Sequence, residues 1–166
     1  MKREMVKGIA LGVITSLVIA CNPKKEETAA PVVVDKDQIK TELQAMETAF
    51  ADAYNAQKPE GIVYYADDAT SYGQNKAPQI GKAAIDKAVK DEIAASPKGS
   101  KVSYTVNEVF PSSDGNQVVE LGSYKVIDST NTVKYSGNYF SLFEKRDGKY
   151  TCIRDMSASD MAKESK

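Results

Sequence analysis

Histidine and tryptophan are absent from the 166 residues, and cysteine occurs only twice, as Cys21 and Cys152. Without histidine there can be no Ser-His-Asp or Cys-His centre, and the commonest transition-metal ligand is missing. Any acid–base chemistry therefore falls to Asp, Glu, Tyr, Lys or Cys152. No basic block interrupts the folded part, and the formal net charge is −1. Nothing is available to neutralise a run of phosphates, so nucleic acid is excluded as a partner. No glycine-rich phosphate loop and no cluster of metal ligands is legible, so neither cofactor nor metal is expected. Only one long stretch, Gly8–Ala20, is both apolar and free of charge. It is shorter than the roughly 20 residues that a mature membrane-spanning helix needs.

That stretch follows Lys2, Arg3 and Lys7, and a basic segment ahead of a short apolar one reads as a secretory signal over residues 1–20. It ends Leu17-Val18-Ile19-Ala20-Cys21, which resembles a bacterial lipobox with Cys21 as the lipidated residue. Several acyl chains on one cysteine give stable anchoring, at about 0.8 kcal/mol per buried methylene. The expected location is the bacterial cell envelope, lipid-anchored, with the outer membrane favoured. Cys152 then has no partner, so no internal disulfide forms. Residues 21–36 carry the lipid and a tether whose prolines, charges and small side chains favour an extended chain. Lys25-Glu26-Glu27 resembles a surface-export signal of lipoproteins in Bacteroidetes-like bacteria, or is simply part of a solvated linker.

Residues 37–160 read as one domain, followed by a short tail over 161–166. At 42% the hydrophobic content suits one modest core. Ile39, Leu43, Met46, Phe50 and Ala53 or Tyr54 recur every three or four residues. They mark an amphipathic helix from about Asp37 to Gln57, capped by Asp35 or Asp37. Pro59 suits the first position of a second, short helix that buries Ile62, Val63 and Ala66. Asp67-Asp68 is read as ending that helix and capping the turn ahead of a brief strand. A third helix runs from Lys82 to Ser96 on Ala84, Ile85, Ala88, Val89 and Ile93. Four long strands follow: Lys101–Phe110, with Val102, Tyr104, Val106 and Glu108 on one face, then Gln117–Ile127, Thr132–Lys145 and Lys149–Ser159. Short turns at Asp114-Gly115, Asp128–Asn131 and Asp147-Gly148 make neighbours antiparallel. Gly122 and Gly137 inside strands suggest bulges or bends. The class is α+β: three N-terminal helices on a strongly bent mixed or antiparallel sheet.

Four stretches carry a family resemblance. They are Phe50–Gln57, then Tyr65-Ala66-Asp67-Asp68-Ala69-Thr70, then Ile80–Ile85, and finally Asp147–Tyr150 with Asp155–Asp160. In this order they resemble the NTF2-like superfamily, within it the SnoaL-like/DUF4440 group, over about Asp37–Asp160. The resemblance implies a cone in which a bent sheet wraps a long helix and leaves a cavity. It also implies a homodimer through the outer sheet face. Isomerase-like members hold a base a few residues beyond the Asp-Asp motif, and Gly73 stands there. Their oxyanion tyrosine falls near Phe50, with Tyr54 one turn away. The cyclase type relies on histidine, which this chain lacks.

The candidates for lining the cavity are Tyr54, Tyr65, Tyr72, Tyr124 and Tyr139, whose rings offer apolar surface and whose hydroxyls give directional hydrogen bonds. Each is equally readable as an ordinary sheet or core residue. Asp155, in the middle of the last strand, is the one catalytic candidate and a ligand anchor if it points inward. Otherwise it makes a hydrogen bond or pairs with Lys125 or Arg154. Cys152 reads as a small buried hydrophobe. The favoured function is non-catalytic binding of a small apolar or amphipathic molecule. The alternatives are an isomerase, cyclase or hydratase using Asp155 with a cavity tyrosine, and a protein-interaction module using the outer sheet face. Two tyrosine hydroxyls converging on Asp155 in a deep pocket would favour the enzyme.

Overall fold

A computed structural model describes residues 33–161, so the signal segment, Cys21 and most of the tether lie outside the described residues. Helix α1 covers Lys36–Asn55. Asp35 caps it, its Oδ1 accepting from the N–H groups of Asp37 and Gln38 at 3.0 Å each, which satisfies two otherwise orphaned donors. The helix ends in a Schellman arrangement. Gln57 N–H donates to the Tyr54 carbonyl at 3.0 Å and Lys58 N–H to the Ala53 carbonyl at 2.9 Å. Gln57 takes the left-handed conformation that this cap requires, with φ 57°. The face turned inward is Ile39, Leu43, Glu47, Phe50 and Ala51, an apolar stripe with one carboxyl in its middle.

Two helices are present among the described residues, not three. Pro59–Gly61 makes a single 3-10 turn, too short to own a buried face. Ile62 goes into the core, but Val63 is 90% exposed. The chain enters strand β1, Tyr65–Tyr72, directly, so Asp67 and Asp68 lie on a strand and cap no turn. Asp68 instead takes a forked pair from Arg146, at 2.6 and 3.0 Å. Strand β2 is the two-residue Gln79–Ile80, and α2 spans Lys82–Ala95. Gly81 starts α2 at φ 85°, and its N–H donates to the Ala69 carbonyl at 2.7 Å. A side chain at that φ is strained.

Strands β3 (Lys101–Pro111), β4 (Gln117–Ile127), β5 (Val133–Arg146) and β6 (Lys149–Ser159) complete a six-stranded sheet in the order β2-β1-β6-β5-β4-β3. All neighbours are antiparallel except β1 and β6, which are parallel. The sheet is thus mixed. In β3 one extra residue, Asn107, interrupts the register between Val106 and Glu108. This bulge turns Glu108 outward and brings Val109 into the core, against the uniform alternation expected for this strand. Lys40 of α1 satisfies the bulged residue, donating to the Asn107 carbonyl at 2.7 Å.

The core holds α1 against the sheet through Leu43, Phe50, Val106, Val118, Phe143 and Cys152. Each large apolar side chain buried this way contributes roughly 1.5–3 kcal/mol. Ile85 of α2 packs on Ala66 and Ala69 of β1. Gly122 sits opposite Tyr139, and Gly137 opposite Tyr124. A Cβ on Gly122 would overlap the Tyr139 ring, and one on Gly137 would overlap the Ala158 carbonyl oxygen and lie 2.7 Å from the Tyr124 ring. These glycines therefore admit a tyrosine from the neighbouring strand. Gly122 does face the β3 bulge, but the pairing of Gly137 with Tyr124 runs in regular register.

Candidate functional site

Half-buried antiparallel sheets place apolar residues inward and polar residues outward. Across the middle of this sheet the order is reversed. Glu120 of β4, Ser141 of β5, Asp155 of β6 and Ser71 of β1 stand directly opposite one another on the inner face. One residue further along, Leu121, Phe140, Met156 and Tyr72 form a matching row on the outer face. The inner row begins with Glu120 and Ser141 wholly buried, whereas the outer row is exposed, from 37% at Phe140 to 55% at Met156.

Helix α1 lowers Glu47 onto the inner row. The Tyr64 hydroxyl donates to the Glu47 carboxylate and lies 3.4 Å from Ser141 Oγ. Tyr139 donates to Glu120 Oε1 at 2.5 Å. Burial, reinforced by the Glu120 charge, pushes the Glu47 carboxyl up to about 8, and the Tyr64 hydrogen bond only partly offsets it. Burial raises Glu120 to about 7, opposed by the hydrogen bonds from Tyr139 and Glu47. Glu120 Oε2 is buried and has no hydrogen-bond partner among the described residues. Two carboxyls side by side in low dielectric hold a proton between them rather than two charges.

Asp155 accepts from the Tyr65 hydroxyl through Oδ2 at 2.9 Å. Its Oδ1 is buried and has no partner. Burial raises this carboxyl, with the Ser71 and Tyr65 hydroxyls opposing the rise. Ser71 stands across from Asp155 in the ladder but does not meet Oδ1 in hydrogen-bonding geometry. No ion pair reaches Asp155 among the described residues, and Arg154 turns instead to the Asp68 carbonyl at 3.1 Å. Burial likewise lifts the hydroxyls of Tyr64, Tyr65, Tyr104 and Tyr139 above the usual phenol range. They act as neutral donors.

Between α1, α2 and the inner sheet face lies a cavity of about 330 Å³. Tyr54, Tyr65, Tyr124, Tyr139 and Asp155 all line it. Tyr72 does not. Ser71 and Gly73 face the cavity, so strand alternation points Tyr72 to the outer surface, where it is 44% exposed. Of the lining tyrosines only Tyr65 reaches Asp155. Tyr54 is held by Ser96 Oγ at 3.0 Å and Tyr139 by Glu120. Gly73, where the resemblance to isomerase-like proteins implies a base, borders the cavity but has no side chain to offer. Cys152 is fully buried under the sheet, and burial raises its thiol. No three Asp, Glu or Cys side chains are grouped to hold a metal ion among the described residues.

Glu47, Tyr64, Glu120 and Ser141 escaped the sequence reading, although two of them leave a signal. Glu47 lies four residues after Leu43 and three before Phe50, on the buried stripe of α1. Glu120 alternates with Val118 and Gly122 on the inward face of β4. A carboxyl in either place needs a buried partner.

Compared with known proteins, the chain matches no family model and no curated protein sequence. Solved structures do resemble it. A Nostoc punctiforme protein of unknown function with a cystatin-like fold superposes with a TM-score of 0.67 at 14% identity, covering 77% of this chain and 81% of that one. An NTF2-like protein of unknown function from Shewanella oneidensis gives 0.58 at 16% identity, over 70% and 96%. A ketosteroid isomerase-like protein from Erwinia carotovora atroseptica gives 0.56 at 13% identity, over 76% and 99%. The fold of residues 33–161 is NTF2-like.

Proposed function

We propose that this domain binds a small amphipathic molecule in the cavity between its helices and the inner sheet face, and that the chain carries the domain on a lipid at Cys21. The observation that carries the binding reading is Asp155. Asp155 lies on the wall of a cavity lined by aromatic rings together with polar and charged side chains, and a guest that brings a donor complements a carboxyl that has one oxygen without a partner. The lipid anchor rests on the lipobox-like run into Cys21 and the basic residues before it.

A non-catalytic role fits the arrangement better than turnover. Proton abstraction needs a base and a stabilising donor aimed at one reacting atom. Here Gly73 occupies the base position of the isomerase-like proteins, and only one tyrosine hydroxyl reaches Asp155. Native mass spectrometry of the chain purified from a bacterial host tests the binding reading. A small molecule released on denaturation is the expected result. A chain that flies empty, and whose melting temperature no metabolite mixture moves, refutes it.

The homodimer has its own support. Leu121, Phe140, Met156 and Tyr72 make a continuous apolar row across four strands, and Phe110 adds to it at 48% exposure. Exposed apolar patches of this kind mark interaction surfaces. A second copy covering this face leaves both cavities open on the opposite side of the sheet.

A further inference from the structure

We propose that the guest of this cavity is a small organic amine, with its ammonium group against Asp155 and its apolar body among the aromatic rings. The inference rests on the binding reading above and adds the chemical class. Its first support is a charge imbalance. The cavity wall carries Glu47, Glu92 and Asp155, with Glu120 directly behind, against one cation, Lys76, on the exposed loop at the mouth. Each ion pair found among the described residues lies at the surface, and none involves these four carboxyls. Buried carboxylates are ordinarily paired. Glu47 accepts from Tyr64 and Glu120 from Tyr139, and burial favours the neutral form of Glu47. Asp155 has only the Tyr65 hydroxyl on one oxygen and nothing on the other.

The second support is the walls. Phe50 and Tyr104 meet edge to face with centroids 5.7 Å apart, and so do Tyr104 and Tyr139. Rings set at right angles turn both an edge and a face toward the space beside them. The face of an aromatic ring attracts a cation. A carboxylate opposite a group of such rings complements an ammonium ion at one end and a hydrocarbon at the other. A metal ion is poorly matched, because no three acidic or sulfur ligands are grouped among the described residues. An anionic guest would meet the like charges of Asp155 and Glu92. The volume of about 330 Å³ lies at the lower end of the range for small-molecule sites, about 300–1,000 Å³, which suits a single-ring or short-chain amine.

Three probes of one shape and different charge decide the matter: phenethylamine, phenethyl alcohol and hydrocinnamate, titrated calorimetrically into the full chain at about pH 7.5, where the amine is protonated. The amine is expected to bind at least about tenfold more tightly than the alcohol, and the carboxylate more weakly than both. Asp155→Asn is expected to bring amine and alcohol within about threefold of each other while the alcohol still binds. Glu92→Gln, at the rim, keeps most of the preference. Should Asp155→Asn fail to fold, the ranking on the unaltered chain decides alone. Equal binding of amine and alcohol, or a preference for the carboxylate, overturns the amine class and leaves the cavity reading standing. Failure of all three probes, with native mass spectra also empty, overturns both.

Discussion

Replacing Glu47 with glutamine should make the protein more stable at pH 8 and nearly unchanged at pH 5. A carboxyl ordinarily titrates at 4.5, and the folded state lifts Glu47 to about 8. Between those values the folded chain holds a proton that the unfolded chain has released. Stability then falls as pH rises, by roughly 1.4 kcal/mol per pH unit for one proton. Below pH 4.5 both states are protonated and the group costs nothing. Above about 8 both are ionised and the full penalty applies, with a ceiling of roughly 5 kcal/mol. Relaxation and water entry reduce that, so about 2–3 kcal/mol is the expected gain at pH 8. The glutamine side chain keeps the shape of the protonated carboxyl, and its carbonyl oxygen accepts from Tyr64 as the carboxyl does. Glu120 and Asp155 are also raised and remain in the variant, so the difference between the two curves reports Glu47 together with its coupling to Glu120. Urea unfolding from pH 5 to pH 8, followed by circular dichroism, measures it. The unaltered chain should lose stability steadily across this range and the variant less steeply. Parallel curves, or a variant that falls further behind as pH rises, would refute the shared-proton arrangement.

Other expectations concern separate parts of the molecule. Gly122→Ala places a methyl where the Tyr139 ring now lies, so the ring must leave Glu120; a loss of about 2–3 kcal/mol in urea unfolding is expected, and an unchanged midpoint would argue against the close approach. Phe140→Glu puts a charge in the outer apolar row; light scattering should show a monomer that circular dichroism reports as folded, whereas a persistent dimer would place the interface elsewhere. Cys21→Ser should abolish incorporation of a labelled fatty acid in a bacterial host, and label retained by the variant would exclude that residue as the anchor.

The fold was largely legible because its determinants are local. Asp35 caps α1, three- and four-residue spacing marks its face, and the short turns at Gly115 and Gly148 pair the long strands. What stayed hidden arose from contacts between distant segments. The Asn107 bulge, which turns Glu108 outward, depends on Gly122 across the ladder and on Lys40 from α1. Tyr72 was misplaced because a single residue's position on β1 decides its face, and the register of β1 against β6 is irregular between Tyr65 and Thr70. Glu47 and Glu120 are 73 residues apart in sequence. Each looks like a misplaced surface charge until the two are brought together, and then their burial explains itself.

Strand β6 has a consequence for how the protein is made. It is the last strand among the described residues, yet it sits between β1 and β5 and carries Asp155. The sheet can gain its first strand only after its last has been synthesised, because β1 has no long neighbour but β6. A nascent chain stalled before Lys149 holds both helices and the β3-β4-β5 meander, with β1 unattached to it and the Asp155 wall of the cavity missing. Closure of such a distant pairing raises contact order and slows folding. For a chain delivered across a membrane, as the proposed lipid anchor requires, that delay keeps it open until β6 arrives.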